Sequence, residues 1–128
     1  MSDLTKFEYV EQALKLAKKR YNKIKLTPSL GKLEPMYNSI VNQLVYLSNV
    51  LSGTESDRSK LWELTFGMYA AKELEASDEI FADRLMKAFY IADQTRNGLK
   101  VKLPHEVDTN YYKNEDRLKK LYPDDYGL

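Results

Sequence analysis

An all-α bundle of four main helices, with an extended strap after the fourth and a short C-terminal helix, is the fold this sequence predicts. Apolar residues recur at helical spacing through most of the first hundred positions. Start and stop signals for helices fall between those stretches. A single segment, 99–103, alternates like a strand, and nothing else reads as a strand to pair with it. Short connections then imply antiparallel neighbours.

Thr5-x-x-Glu8 is a capping box, so the first helix begins there and runs to about Lys25. Val10, Ala13, Leu14, Ala17, Tyr21 and Ile24 form its apolar stripe, with Glu8, Glu11, Lys15, Lys18 and Lys19 opposite. Residues 26–34 contain Pro28 and Gly31 and read as a loop. Pro35 opens the second helix, Tyr37, Ile40, Leu44, Leu47 and Leu51 face the core, and Gly53 ends it. A third helix is expected from Ser56-Asp57 to about Glu75. Leu61, Leu64, Met68 and Ala71 make one apolar face, and Trp62, Phe66 and Tyr69 make another. Gly67 in its middle implies a close helix approach.

Ser77 caps the fourth helix, with Asp78 and Glu79 favoured by the dipole in its first turn. Phe81, Leu85, Ala88, Phe89 and Ala92 point inward, and Gly98 supplies the stop. Leu99 to Leu103 is the strap. From His105 the chain turns polar, with a short helix around 111–121 and a tail ending PDDYGL.

The 128 residues suffice for one domain with a real core. Cysteine is absent, which excludes disulfides and cysteine-rich zinc sites and fits a reducing cytosol. The N-terminus carries acids and aromatics where a secretory signal needs a basic start and an apolar run. Residues 35–54 are uncharged, yet Asn38, Ser39, Asn42, Gln43, Ser48 and Asn49 interrupt them, so a soluble helix is expected and no membrane partner. A net charge of +1 argues against a nucleic-acid partner.

Glu8 and Glu11 have the E-x-x-E spacing of a metal-dependent helical nucleotide hydrolase, which needs carboxylates from two helices converging inside a bundle. Both point away from the apolar stripe, and Glu11 can pair with Lys15, so a solvated face is the favoured reading. Asp78, Glu79 and Asp83 raise the same idea, with Asp83 placed to pair with Lys87. His105 has no neighbouring nucleophile pattern and reads as a surface or linker histidine. No catalytic, metal or cofactor constellation emerges.

Two surfaces suit a protein partner. On the fourth helix, Glu79, Asp83, Met86, Tyr90, Asp93 and Gln94 share one stripe away from the core, a Met and a Tyr set among acids. On the second, Asn38, Asn42, Tyr46 and Asn49 form an uncharged polar face that is cheap to desolvate and suits oligomers or tight complexes. A non-enzymatic adaptor and a homo-oligomer both fit such faces.

The segments LTFGMYAAKE and QTRNGLKVKLP resemble motifs of a family of bacterial immunity proteins that protect cells from type VI secretion effectors hydrolysing NAD(P)+. The likeness runs over about residues 7–104, from FEYVEQALKLA onward. It implies an all-helical, non-enzymatic antitoxin that acts in the cytoplasm. Such a protein binds and occludes the active site of a cognate NAD(P)+ glycohydrolase toxin domain. Lys72, Glu73, Tyr90, Thr95, Arg96, Gly98, Leu99, Lys100, Val101 and Pro104 match the pattern. Of these, Lys72, Glu73, Tyr90 and Arg96 are implied partner contacts, with Lys100 beside them, and Gly98 and Pro104 are structural. Residues 1–104 then form the immunity-like domain, and 105–128 a polar C-terminal extension beyond the pattern.

Overall fold

Thr5 starts the first helix as its capping box requires: its Oγ1 accepts from the Glu8 N–H at 3.1 Å, and its own N–H donates to Glu8 Oε1 at 3.0 Å. The computed structural model describes residues 4–127. The start of the segment read above for a secretory signal and the last residue of the tail lie outside them. Helix α1 (Lys6–Lys25) lies at the centre, packed on α2 (Glu34–Ser52) on one side and α4 (Glu79–Arg96) on the other. Two neighbours need two buried faces. Tyr9 and Leu16 are therefore buried beside the predicted Val10, Ala13, Leu14, Ala17 and Ile24, while Tyr21 is half-buried. The segment expected as a loop before α2 is a 3₁₀ helix, Pro28–Leu33. Gly53 ends α2 in the left-handed region at φ +84°.

The expected third helix does not form as one piece. A 3₁₀ helix at Ser59–Glu63 gives way to extended backbone at Leu64 (φ −69°, ψ 131°), then α3 (Phe66–Tyr69) and a π-helical segment, Ala70–Leu74. The cause lies on α2. Gln43 Oε1 accepts from the N–H of Thr65 at 2.7 Å and of Phe66 at 3.0 Å, replacing bonds a continuous helix would make. The break turns Leu61, Leu64, Phe66, Ala70 and Leu74 inward and leaves Trp62, Met68 and Ala71 exposed, so neither predicted apolar face survives intact. Gly67 does mark a close approach: a Cβ built there would sit 2.6 Å from the Phe89 ring.

The N-cap position of α4 is Asp78 rather than Ser77, and neither side chain caps the helix. The Ser77 hydroxyl donates back to the Glu73 carbonyl, and Asp78 binds Arg20 Nε at 2.7 Å. Phe81, Leu85, Ala88 and Ala92 are buried as expected, together with Ile80, Ala82, Arg84 and Ile91, while Phe89 is half-buried. Gly98 closes the helix at φ +69°. The strap follows, pinned by the Gln94 amide, which accepts from the Lys102 N–H at 2.8 Å and donates to the Lys102 carbonyl at 2.9 Å. A side chain thus supplies the pairing that a second strand would.

The segment after the strap folds into three helices, α5 (Pro104–Val107), α6 (Tyr111–Leu121) and α7 (Pro123–Tyr126). Leu118 and Tyr111 of α6 join the core. Arg20 clamps the end of the chain by binding Asp125 at 2.8 Å as well as Asp78. Among the described residues, no helix is long and apolar enough to cross a membrane.

Candidate partner-binding site

The outward stripe of α4 is only partly outward, because α6 packs along its first half. Glu79 is gripped by both terminal nitrogens of Arg117, at 2.9 and 2.6 Å. Asp83 pairs with Lys87 at 2.9 Å, as its spacing predicts, and also with Arg84 at 2.8 Å. Glu115 of α6 completes the group, binding Arg84 at 3.0 Å and Lys87 at 2.8 Å. Gln94, expected to face solvent, is 9% exposed with its amide committed to the strap. That placement is corrected by the strap itself, which folds over the last turn of α4.

Charge in this cluster is matched internally. Burial pushes the Glu115 carboxyl up, but Arg84 and Lys87 outweigh it and hold the group below its ordinary value. The Arg117 hydrogen bond does the same for Glu79. Burial works against the charged form of Arg84, and Glu115 reverses this. Among the described residues, Arg84 Nη2 is buried with no hydrogen-bond partner, and the guanidinium lies 5.2 Å from the Tyr126 ring. A cluster so compensated projects little field toward a partner.

Further along α4 the surface opens. Met86 and Tyr90 are exposed. Asp93 Oδ1 binds Arg96 Nη2 at 2.7 Å, and the Arg96 guanidinium lies over both Trp62, at 5.0 Å, and Phe89, at 5.4 Å. Lys72 and Glu73 are exposed on the π-helical segment, and Lys100 on the strap. The ten predicted contact residues therefore separate: Glu79 and Asp83 belong to the α4–α6 contact, while Asp93 and Arg96 join Trp62 at the other end.

The second predicted face, on α2, becomes one wall of an open groove of about 490 Å³. Asn38, Asn42 and Tyr46 line it from α2, and Lys60, Glu63 and Leu64 from the 3₁₀ turn opposite. Tyr46 also donates to the Asp57 carbonyl at 2.7 Å. Asn49 instead receives the loop after α2, its carbonyl accepting from the Glu55 N–H at 3.0 Å. Trp62, on the same turn as Lys60 and Glu63, was hidden from sequence reasoning because a continuous helix would have made it part of an apolar face.

The carboxylates weighed for hydrolysis are employed separately. Glu8 caps α1, and Glu11 accepts from Ser48 Oγ of α2 at 2.7 Å, in place of the expected Lys15 pairing. Among the described residues, no three His, Cys, Asp or Glu side chains gather where a metal ion would sit. His105 is no surface histidine: its Nδ1 lies 2.8 Å from the hydroxyl of buried Tyr9, and the two rings stack. Burial foremost pushes the Tyr9 phenol up.

The family model for Tsi6 matches residues 5–94. Immune protein Tsi6 of Pseudomonas aeruginosa (strain PAO1) is 34% identical over 104 residues, covering 79% of this chain and 100% of that protein. A chain in a solved structure of Tse6 in complex with Tsi6 superposes with a TM-score of 0.69 at 34% identity, again covering 79% of this chain and 100% of that one. The groove, Trp62 and most of α4 lie inside the matched span, and α5 to α7 lie beyond it.

Proposed function

The chain belongs to the Tsi6 family of immunity proteins, and on that premise we propose that it binds a cognate toxin and neutralises it by covering its active site. The observation that carries this is the match to the whole length of Tsi6, a protein solved in complex with Tse6. The finer reading is that the toxin is a type VI secretion effector that hydrolyses NAD(P)+. It rests on the motifs LTFGMYAAKE and QTRNGLKVKLP and sets the encounter in the cytoplasm, where NAD+ is consumed.

Occlusion needs affinity rather than chemistry. Nanomolar binding corresponds to about 12 kcal/mol, reachable at an interface burying about 800 Å² on each partner. That is a modest share of this chain's 7779 Å² surface. Met86, Tyr90, Asp93 and Arg96 are retained as contacts, with Lys72, Glu73 and Lys100 at the rim. Glu79, Asp83 and Gln94 act at one remove, holding α6 and the strap in place.

The test is intracellular NAD+ in cells expressing the product of the gene adjacent to this one, with and without this chain. Collapse of NAD+ alone and preservation with this chain is the expected result. Killing at level NAD+ would keep neutralisation and discard the NAD(P)+ chemistry. A harmless neighbour would discard the proposal.

A further inference from the structure

We propose that the toxin-binding surface is centred on Trp62 and the adjoining groove of α2, and that the acidic face of α4 is not its anchor; this rests on the immunity reading above. Trp62 is the only tryptophan of the chain and is 61% exposed. An aromatic side chain of this size left in water is a reservoir of binding free energy. Arg96 lies over the ring at 5.0 Å, and Asp93 holds Arg96 in turn at 2.7 Å, contacts that reduce the side-chain entropy lost on association. Trp and Arg are also the residue types most enriched among binding hot spots.

The backbone beneath is also held. Gln43 binds the Thr65 and Phe66 amides, which locks the 3₁₀ turn bearing Trp62 against α2. The turn therefore presents Trp62 toward α4 and lines the groove with Lys60 and Glu63. One cation and one anion leave the groove no net charge, and the rest of its lining is amides, hydroxyls and the apolar Pro35 and Leu64. That composition does not select a phosphate or an acidic peptide. It matches a neutral protein segment, whose backbone N–H and C=O groups are complementary to the paired donor and acceptor of Asn38 and Asn42. The α4 acids offer the contrast. Glu79 and Asp83 are neutralised within the chain by Arg117, Arg84 and Lys87, on turns of α4 that precede Arg96. The occupant is the toxin of the preceding reading, inserting an uncharged loop beside Trp62.

Affinity of the full chain for the immobilised product of the adjacent gene tests this. Three variants are compared with the parent: Trp62→Ala, Asn42→Arg, which fills the groove, and Lys120→Glu on α6 as a control. Unchanged circular dichroism melting verifies folding of each. Trp62→Ala and Asn42→Arg are expected to weaken binding about 30-fold or more, and Lys120→Glu less than about 2-fold. Parent-like affinity of both Trp62→Ala and Asn42→Arg overturns the inference while leaving the immunity reading intact. Failure of the parent chain itself to bind overturns the immunity reading and this surface with it. If Trp62→Ala instead converts a dimer to a monomer in sedimentation and leaves toxin affinity unchanged, the surface belongs to a second copy and the inference falls.

Discussion

Arg84 carries its charge at 2% side-chain exposure between two acids, Asp83 at 2.8 Å and Glu115 at 3.0 Å. A buried charge that loses its partner is far more costly than the pair was beneficial. Glu115→Ala leaves Arg84 and Lys87 with Asp83 as their remaining acid and should therefore cost about 1–3 kcal/mol in urea unfolding. Gly67 is constrained differently. Adding a methyl group forces the Phe89 ring, 2.6 Å away, to move, and Phe89 is already packed edge-on against Phe66. Gly67→Ala should destabilise the fold by about 1–3 kcal/mol despite the higher helix propensity of alanine, a shift that thermal melting would register. Asp125 gives a pH dependence. The hydrogen bond from Arg20, opposed by burial and helped by Lys19, lowers its carboxyl from 3.8 to about 2. A pKa depressed on folding stabilises the folded state above the unfolded value, so the benefit is complete above about pH 4 and is lost as pH falls toward 2. Urea titrations of the parent and Asp125→Asn should accordingly differ at pH 5 and converge near pH 2.

At the level of elements, the sequence spoke clearly where signals were local. The Thr5 box and the glycines at 53 and 98 each act on their own backbone and mark their boundaries, and Pro35 marks the start of α2 to within one residue, Glu34 being the first. The third helix failed because its decisive residue is 22 positions away. Gln43 competes with the local helical pattern because its Oε1 accepts from both Thr65 and Phe66 N–H. Gln43→Ala should leave those two amides without a partner. Hydrogen exchange at Thr65 and Phe66 should then accelerate, while α1 and the centre of α2 keep their protection. The docking of α6 was equally illegible. Its 11 residues are mostly charged, and only Tyr111 and Leu118 reveal the buried side. Leu118, fully buried, should cost about 2–5 kcal/mol when cut to alanine, measured by the same urea unfolding.

For the molecule as a whole, a net charge of +1 and internally matched acids leave no strong field to steer a partner. Association with the toxin should consequently change little in rate between low and moderate salt, as stopped-flow measurements would show. A steep salt dependence would return the α4 acids to the centre of recognition. Helical periodicity, capping residues and the absence of a second strand determined an all-α chain from sequence alone, and two short motifs pointed to the family. Those features are legible because each depends on residues within a few positions of one another. Only the tertiary structure decided how the predicted contacts are engaged within the chain, since α6 and the strap, folding back from the end of the chain, bind Glu79, Asp83 and Gln94. It also decided that Trp62 stands in solvent: a side chain on α2, distant in sequence, breaks the helix that would have buried it.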